Sequence, residues 1–118
     1  MMEDLTLFHF LPVLPGIVFV IAGFIMWKRP ARSINGLYGY RSPLAKSEQR
    51  LWDAAQSTSS VLMMRLGAAQ IVVSLLVGYT VANEVFPVAY LLVSTIGNYI
   101  AVRTITEYRL REVQTQPM

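Results

Sequence analysis

Hydrophobic positions along this chain fall into long blocks, and the polar residues gather between them. The clearest block is Phe8 to Trp27, which holds no formal charge. At ~1.5 Å per residue a helix of that length covers the ~30 Å hydrocarbon core of a bilayer. The second runs from about Leu66 to Ala82, with a start that reaches back to about residue 62, and carries Gln70, Ser74 and Thr80. The third runs from Phe86 to Val102, with Pro87 in the first turn, where a missing N–H costs nothing. A short link at Asn83 and Glu84 makes the last two an antiparallel pair. The pattern predicts an all-α integral membrane protein forming one domain over 1–118, with transmembrane helices at about 8–27, 62–82 and 86–102.

The polar stretch from 28 to about 60 is too long for a plain connector and too apolar for a disordered linker. Asn35-Gly36 signals a turn, and Gly39 between Tyr38 and Tyr40 suits a positive φ. Ser42-Pro43 reads as an N-cap and first helical residue, after which Leu44, Leu51, Trp52 and Ala55 recur at helical spacing. An amphipathic helix lying at the membrane surface is expected there, either separate or running into the second membrane helix without a break, with Lys46, Glu48, Gln49, Arg50 and Asp53 on its polar face. A weaker helix is expected in the tail, either separate or as an extension of the third helix, with Glu107 and Arg111 paired at i, i+4.

Composition agrees with the blocks: of 118 residues 54% are hydrophobic and 14% charged, against about 25% charged in an ordinary soluble domain. The net charge is +3, but its placement matters more than its size. Lys28, Arg29, Arg32, Arg41, Lys46 and Arg50 lie in the first loop, Arg65 at the mouth of the second block, and the others in the tail. With three crossings every Lys and Arg falls on one side, which the positive-inside rule makes the cytoplasm. The N-terminus is then outside with Glu3, Asp4 and Glu84, and the C-terminus inside. The acidic start also speaks against a cleaved signal peptide.

Enzyme chemistry finds little support. There is no Cys, so thiolate metal sites and cysteine nucleophiles are excluded, and one histidine, His9, cannot form a two-histidine zinc site. The apolar blocks hold no Asp or Glu, which weighs against proton-coupled transport. No cofactor or metal is expected, and the basic loop is needed for topology, so nucleic acid is set aside as a partner. Gly67, Gln70, Ser74 and Gly78 share a face of the second helix, Ser94 and Asn98 a face of the third, and His9, Pro12, Gly16 and Gly23 a face of the first. These faces are expected to pack together, with Gln70 bonded to Asn98 across the bundle. Gly97 and Ala101 leave room for a homodimer.

Arg41 precedes the expected helix N-terminus with Lys46 one turn on, a place where a phosphate headgroup would fit; the plainer role for Arg41 is a positive-inside anchor. Tyr38, Tyr40 and Trp52 likewise suit an interfacial aromatic belt. The run Asn35 to Pro43 followed by Trp52-Asp53-Ala54-Ala55-Gln56 resembles the SdpI family of membrane proteins. That family has an Asn, then an aromatic-Gly-aromatic/aliphatic-Arg-Thr stretch, then Trp-x-x-Ala-Asn entering a membrane helix. Asn35, Tyr38, Gly39, Arg41, Trp52 and Ala55 supply the pattern, with Ser42 for the usual Thr and Gln56 for the usual Asn. In the family's namesake, which has further helices before the motif, the resemblance implies immunity to a secreted peptide toxin and signalling by holding a transcriptional repressor at the membrane. It implies here a non-enzymatic protein of the bacterial plasma membrane. The expected partners are membrane lipid and a peptide toxin or cytoplasmic regulatory protein, met through Asn35, Tyr38, Gly39, Tyr40, Arg41, Ser42, Lys46, Trp52 and Gln56. The alternative is a lipid-handling carrier or enzyme component that recognises a phosphorylated headgroup.

Overall fold

The computed structural model describes residues 7–80 and 85–117; Glu3, Asp4 and the expected link at Asn83 and Glu84 lie outside the described residues. The described chain forms helices α1 (Val13–Lys28), α2 (Gln49–Thr80) and α3 (Val85–Thr115), with short 3-10 turns at Leu7–Phe10 and Ala45–Ser47. The all-helical class and the three-helix count agree with the sequence pattern, and the bounds differ for identifiable reasons.

The first apolar block does not become one helix from residue 8. Starting there, Pro12 and Pro15 would fall at interior positions where the ring clashes and the N–H is missed. Instead Pro12 is the N-cap of α1 and Pro15 lies in the first turn, whose N–H groups have no intrahelical partner in any case. The 16 residues of α1 are apolar but short, whereas α2 and α3 are each long and apolar enough to cross a membrane.

The separate surface helix is absent as such. Ser42 and Pro43 start only the 3-10 turn: the Ala45 N–H donates to Ser42 Oγ at 3.1 Å, and the chain straightens at Glu48 (φ −158°, ψ 158°). From Gln49 no Pro or Gly interrupts the sequence until Gly67, so the expected surface helix is the first third of α2. Its hydroxyls are satisfied locally, Ser57 donating to the Ala54 carbonyl and Ser60 to that of Ser57. Nor does α3 end at Val102; it runs 31 residues, about 46 Å, well beyond a ~30 Å hydrocarbon core.

Helix α2 is the centre, packed against α1 on one side and α3 on the other, while α1 and α3 scarcely touch. The α1–α2 contact is between backbones: a Cβ on Gly16 would stand 2.9 Å from the Gly67 carbonyl oxygen, and one on Gly67 2.7 Å from that of Gly16. Gln70 donates to the Pro12 carbonyl at 3.0 Å, and Asn98 Nδ2 donates to Gln70 Oε1, linking all three helices as expected. Gly97 has open space around it.

The molecule is 60 Å long, and its two halves obey opposite burial rules. Around α1 the buried residues are small or polar, including Gly16, Gly23, Gln70 and Ser74, while Val18, Ile21, Val72, Leu76, Val93 and Ile96 point outward. That arrangement suits lipid, where apolar burial gives no drive and close backbone approach does. Beyond the end of α1, the starts of α2 and the end of α3 enclose a core of the kind found in water: Leu51, Trp52, Ala55, Leu110 and Val113, with Ala31 and Ala45 from the loop. The apolar stripe of the expected surface helix, Leu44, Leu51, Trp52 and Ala55, therefore faces protein.

Two consequences are measurable in detergent unfolding. Gly67→Leu, which must push α1 away, is expected to lose about 2–4 kcal/mol, with Gly97→Leu within about 0.5 kcal/mol of wild type; equal losses would show that the close approach is unimportant. Thr106 is buried in α3 with its hydroxyl unbonded among the described residues. Thr106→Val is therefore expected to be neutral or to stabilise by up to about 1 kcal/mol, and a clear loss would mean that the hydroxyl has a partner.

Candidate functional site

The loop between α1 and α2 is built by the side chains singled out in the sequence. Asn35 Oδ1 accepts from the N–H groups of Leu37 and Tyr38, both at 2.8 Å, and its Nδ2 donates to the Ser33 carbonyl, closing an Asx turn. The chain then runs back along α1, where the Tyr38 hydroxyl donates to the Arg29 carbonyl at 2.8 Å just beyond the helix end.

Gly39 has φ +97°, as the flanking aromatics suggested, and there is a second reason for glycine: a Cβ would collide with the Gln56 side-chain oxygen. That contact exists because the Gln56 amide clamps the next residue at two points. Its Oε1 accepts from the Tyr40 N–H at 2.9 Å and its Nε2 donates to the Tyr40 carbonyl at 2.8 Å, as a neighbouring β-strand would. Trp52, fully buried, fixes the start of the loop by donating from Nε1 to the Ala31 carbonyl at 2.6 Å.

A second set of bonds joins the loop to α3. The Tyr40 hydroxyl lies 3.1 Å from Glu107 Oε2 and 3.3 Å from the Arg103 carbonyl oxygen, and Ser42 Oγ donates to the same Glu107 oxygen at 2.9 Å. Burial and the adjacent Glu107 carboxylate push the Tyr40 phenol from 10.0 up to about 12. Its raised value keeps it a neutral donor below the ordinary value of 10, and the contribution fades only as pH rises through about 12. Glu107 thus serves the loop, not the expected i, i+4 pair with Arg111; among the described residues the ion pairs are Arg50–Glu48 and Arg109–Glu112. Arg50 also donates to the Gln116 carbonyl at 2.9 Å, tying the end of α3 to the start of α2.

Of the nine loop residues proposed for partner contact, Asn35, Tyr38, Gly39, Tyr40, Ser42, Trp52 and Gln56 are thus engaged in holding the loop together. Arg41 donates one guanidinium N–H to the Gly36 carbonyl at 2.7 Å and is otherwise outward. Lys46 is exposed in the 3-10 turn. The long helix that was to supply a dipole beside Arg41 does not start there, so the phosphate site of Arg41 with Lys46 loses its helical support. Leu37, which the sequence reading passed over, is 92% exposed at the loop tip.

Gln70, Ser74 and Asn98 serve packing: Ser74 donates to the Gln70 carbonyl, and Gln70 is bonded at both ends of its amide. The space the helices leave open is a groove of about 380 Å³ between α1 and α3, floored by α2 and closed at one end by residues 39–42. Arg103 of α3 lines it together with Arg41 of the loop. Sequence reasoning missed Arg103 and Glu107, although the first basic residue after the third apolar block and a carboxylate one turn on were visible signals.

Residues 32–103, which take in the loop, all of α2 and the apolar part of α3, match the SdpI/YfhL protein family. The uncharacterized protein YfhL of Bacillus subtilis (strain 168) is 40% identical over 63 residues, which is 53% of this chain and 57% of that relative. The chain thus matches little more than half the length of this curated relative, and no solved structure matches it. The family match covers well over half of the chain, and it begins at the loop whose internal bonds have just been traced: the chain belongs to the SdpI/YfhL family.

Proposed function

We propose that this chain is a non-enzymatic, SdpI-like protein of the bacterial plasma membrane, of toxin-immunity or signalling type, with its N-terminus outside and its C-terminus inside. It crosses the bilayer three times, α1 spanning with the help of the turn that precedes it. The loop and the protruding ends of α2 and α3 form a cytoplasmic platform that binds a peptide or regulatory protein. The carrying observation is the loop itself: its signature side chains are spent on internal bonds, so it offers a fixed surface with Leu37, Arg41 and Lys46 outward. A preordered surface loses little entropy on binding. An exposed leucine between the exposed Ile34 and Tyr38, with Arg41 bonded to the neighbouring Gly36, suits a partner with an apolar side chain and an acidic neighbour. The second reading, a lipid-handling carrier or enzyme component, is favoured by the groove beside Arg103.

The chain has no cysteine, so single-cysteine labelling reports the orientation without background. Gly36→Cys is expected to resist a membrane-impermeant maleimide in intact cells and react after lysis, and Val85→Cys to react in intact cells. The reverse pattern would overturn the orientation.

The platform is tested by gentle extraction and mass spectrometry of what co-purifies. Leu37→Asp and Arg41→Ala are expected to reach wild-type levels in the membrane and to lose a peptide or protein partner by roughly tenfold or more. If both variants retain every partner of the wild type, the loop is not the binding surface.

A further inference from the structure

The groove between α1 and α3 has the two-part chemistry of a membrane lipid. Its walls are Phe19 and Met26 from α1 and Tyr99 and Val102 from α3, over a floor of Met63 and Ser59 from α2. From Phe19 to Met26 the wall rises about 10 Å along α1. The groove is partly open to the outside. A peptide backbone would find few partners along such walls, whereas an acyl chain needs none.

The closed end is different in kind. Arg41 from the loop and Arg103 from α3 both line it, Arg41 with one N–H given to Gly36 and the rest of its guanidinium free among the described residues, and the Tyr40 hydroxyl there is bonded to Glu107. The Arg103 side chain is exposed and has no hydrogen-bond or ion-pair partner among the described residues. Arginines near a helix's passage out of the hydrocarbon are placed where headgroup phosphates lie. Two guanidinium groups at the mouth match one phosphodiester and repay its charge, which a zwitterionic headgroup partly cancels for itself.

We infer that the α1–α3 groove holds one anionic phospholipid, with an acyl chain along Phe19, Met26 and Met63 and its phosphate between Arg103 and Arg41. The lipid fills the gap left where α1 and α3 do not meet and touches the loop at Tyr40 and Ser42. Its occupancy thus bears on the same loop as the proposed partner. The inference rests on the membrane placement proposed above, not on the peptide or protein partner.

The test is native mass spectrometry of the purified full chain in detergent with equal amounts of dioleoyl phosphatidylglycerol and dioleoyl phosphatidylcholine. One phosphatidylglycerol per chain is expected to be retained in preference to phosphatidylcholine. Arg103→Gln is expected to lower that preference by roughly tenfold, while Arg111→Gln, outside the groove, leaves it unchanged. Because Arg41→Gln also removes the bond to Gly36, the decision is taken on Arg103→Gln. Equal retention of both lipids, an equal effect of Arg111→Gln, or displacement by glycerol phosphate as readily as by the whole lipid would each overturn the proposal. So would a lipid-free dimer in which a second chain fills the groove. The labelling experiment separates these outcomes from a failure of the membrane orientation itself.

Discussion

At Gly16 and Gly67 the backbones of α1 and α2 come as close as two helices can, each glycine standing where a Cβ would strike the other's carbonyl oxygen. Much else follows from that approach. It brings the Pro12 carbonyl within reach of Gln70, whose amide in turn receives Asn98, so the buried Gln70 amide is satisfied at both ends. It also draws α1 onto one flank of α2. With α3 on the other flank, the two outer helices scarcely touch, and a groove is left between them.

The short α1 determines where the chain changes solvent. Once it ends at Lys28, α2 and α3 have no third helix beside them, and the loop must cover the face that α1 no longer covers. It does so with a conventional apolar core around Trp52, Leu51 and Leu110. In water such a core gains from the hydrophobic effect; inside lipid it would gain almost nothing, and glycine and amide contacts are found there instead. A single unbroken α2 carries both kinds of packing, small residues at one end and Trp52 at the other. The rule of packing thus changes along the 60 Å of the molecule.

What was legible in the sequence was whatever local chemistry decides. Asn35 makes its turn, Gly39 takes its positive φ, Pro87 stands in the first turn of α3, and Gln70 meets Asn98. The start of α1 was readable in principle from Pro12 and Pro15, but the hydropathy of residues 8–27 masked it. Less accessible were pairings across long sequence separation. Leu44, Leu51, Trp52 and Ala55 form a stripe that fits a lipid surface as well as a protein core, and only Leu110 and Val113, some sixty residues on, decide between them. Glu107 had a plausible partner one turn away in Arg111, yet the buried phenol and hydroxyl of the loop receive it. Arg103 looked like one more topological charge until three elements placed it at the mouth of a groove.

The signature therefore acquires a physical meaning different from a list of contact residues. A side-chain amide that must reach a backbone N–H and a carbonyl at once leaves no room for a Cβ on the residue before, so Gln56 and Gly39 constrain each other. Tyr40, fixed by that clamp, reaches Glu107 on α3, and through it the position of the loop follows the position of α3. A movement of α3 against α2 would be felt first at Tyr40 and Ser42, because both lean on one carboxylate oxygen. The groove occupies the same junction, bounded by Tyr40 on the loop and Arg103 on α3. Whatever enters it separates or joins the elements that the Tyr40–Glu107 bond couples. The outward residues Leu37 and Arg41 belong to the same short loop, anchored at Asn35 and Tyr40. The groove and the outward face of the loop are thus connected through a handful of hydrogen bonds, and the arrangement needs no long-range pathway to link them.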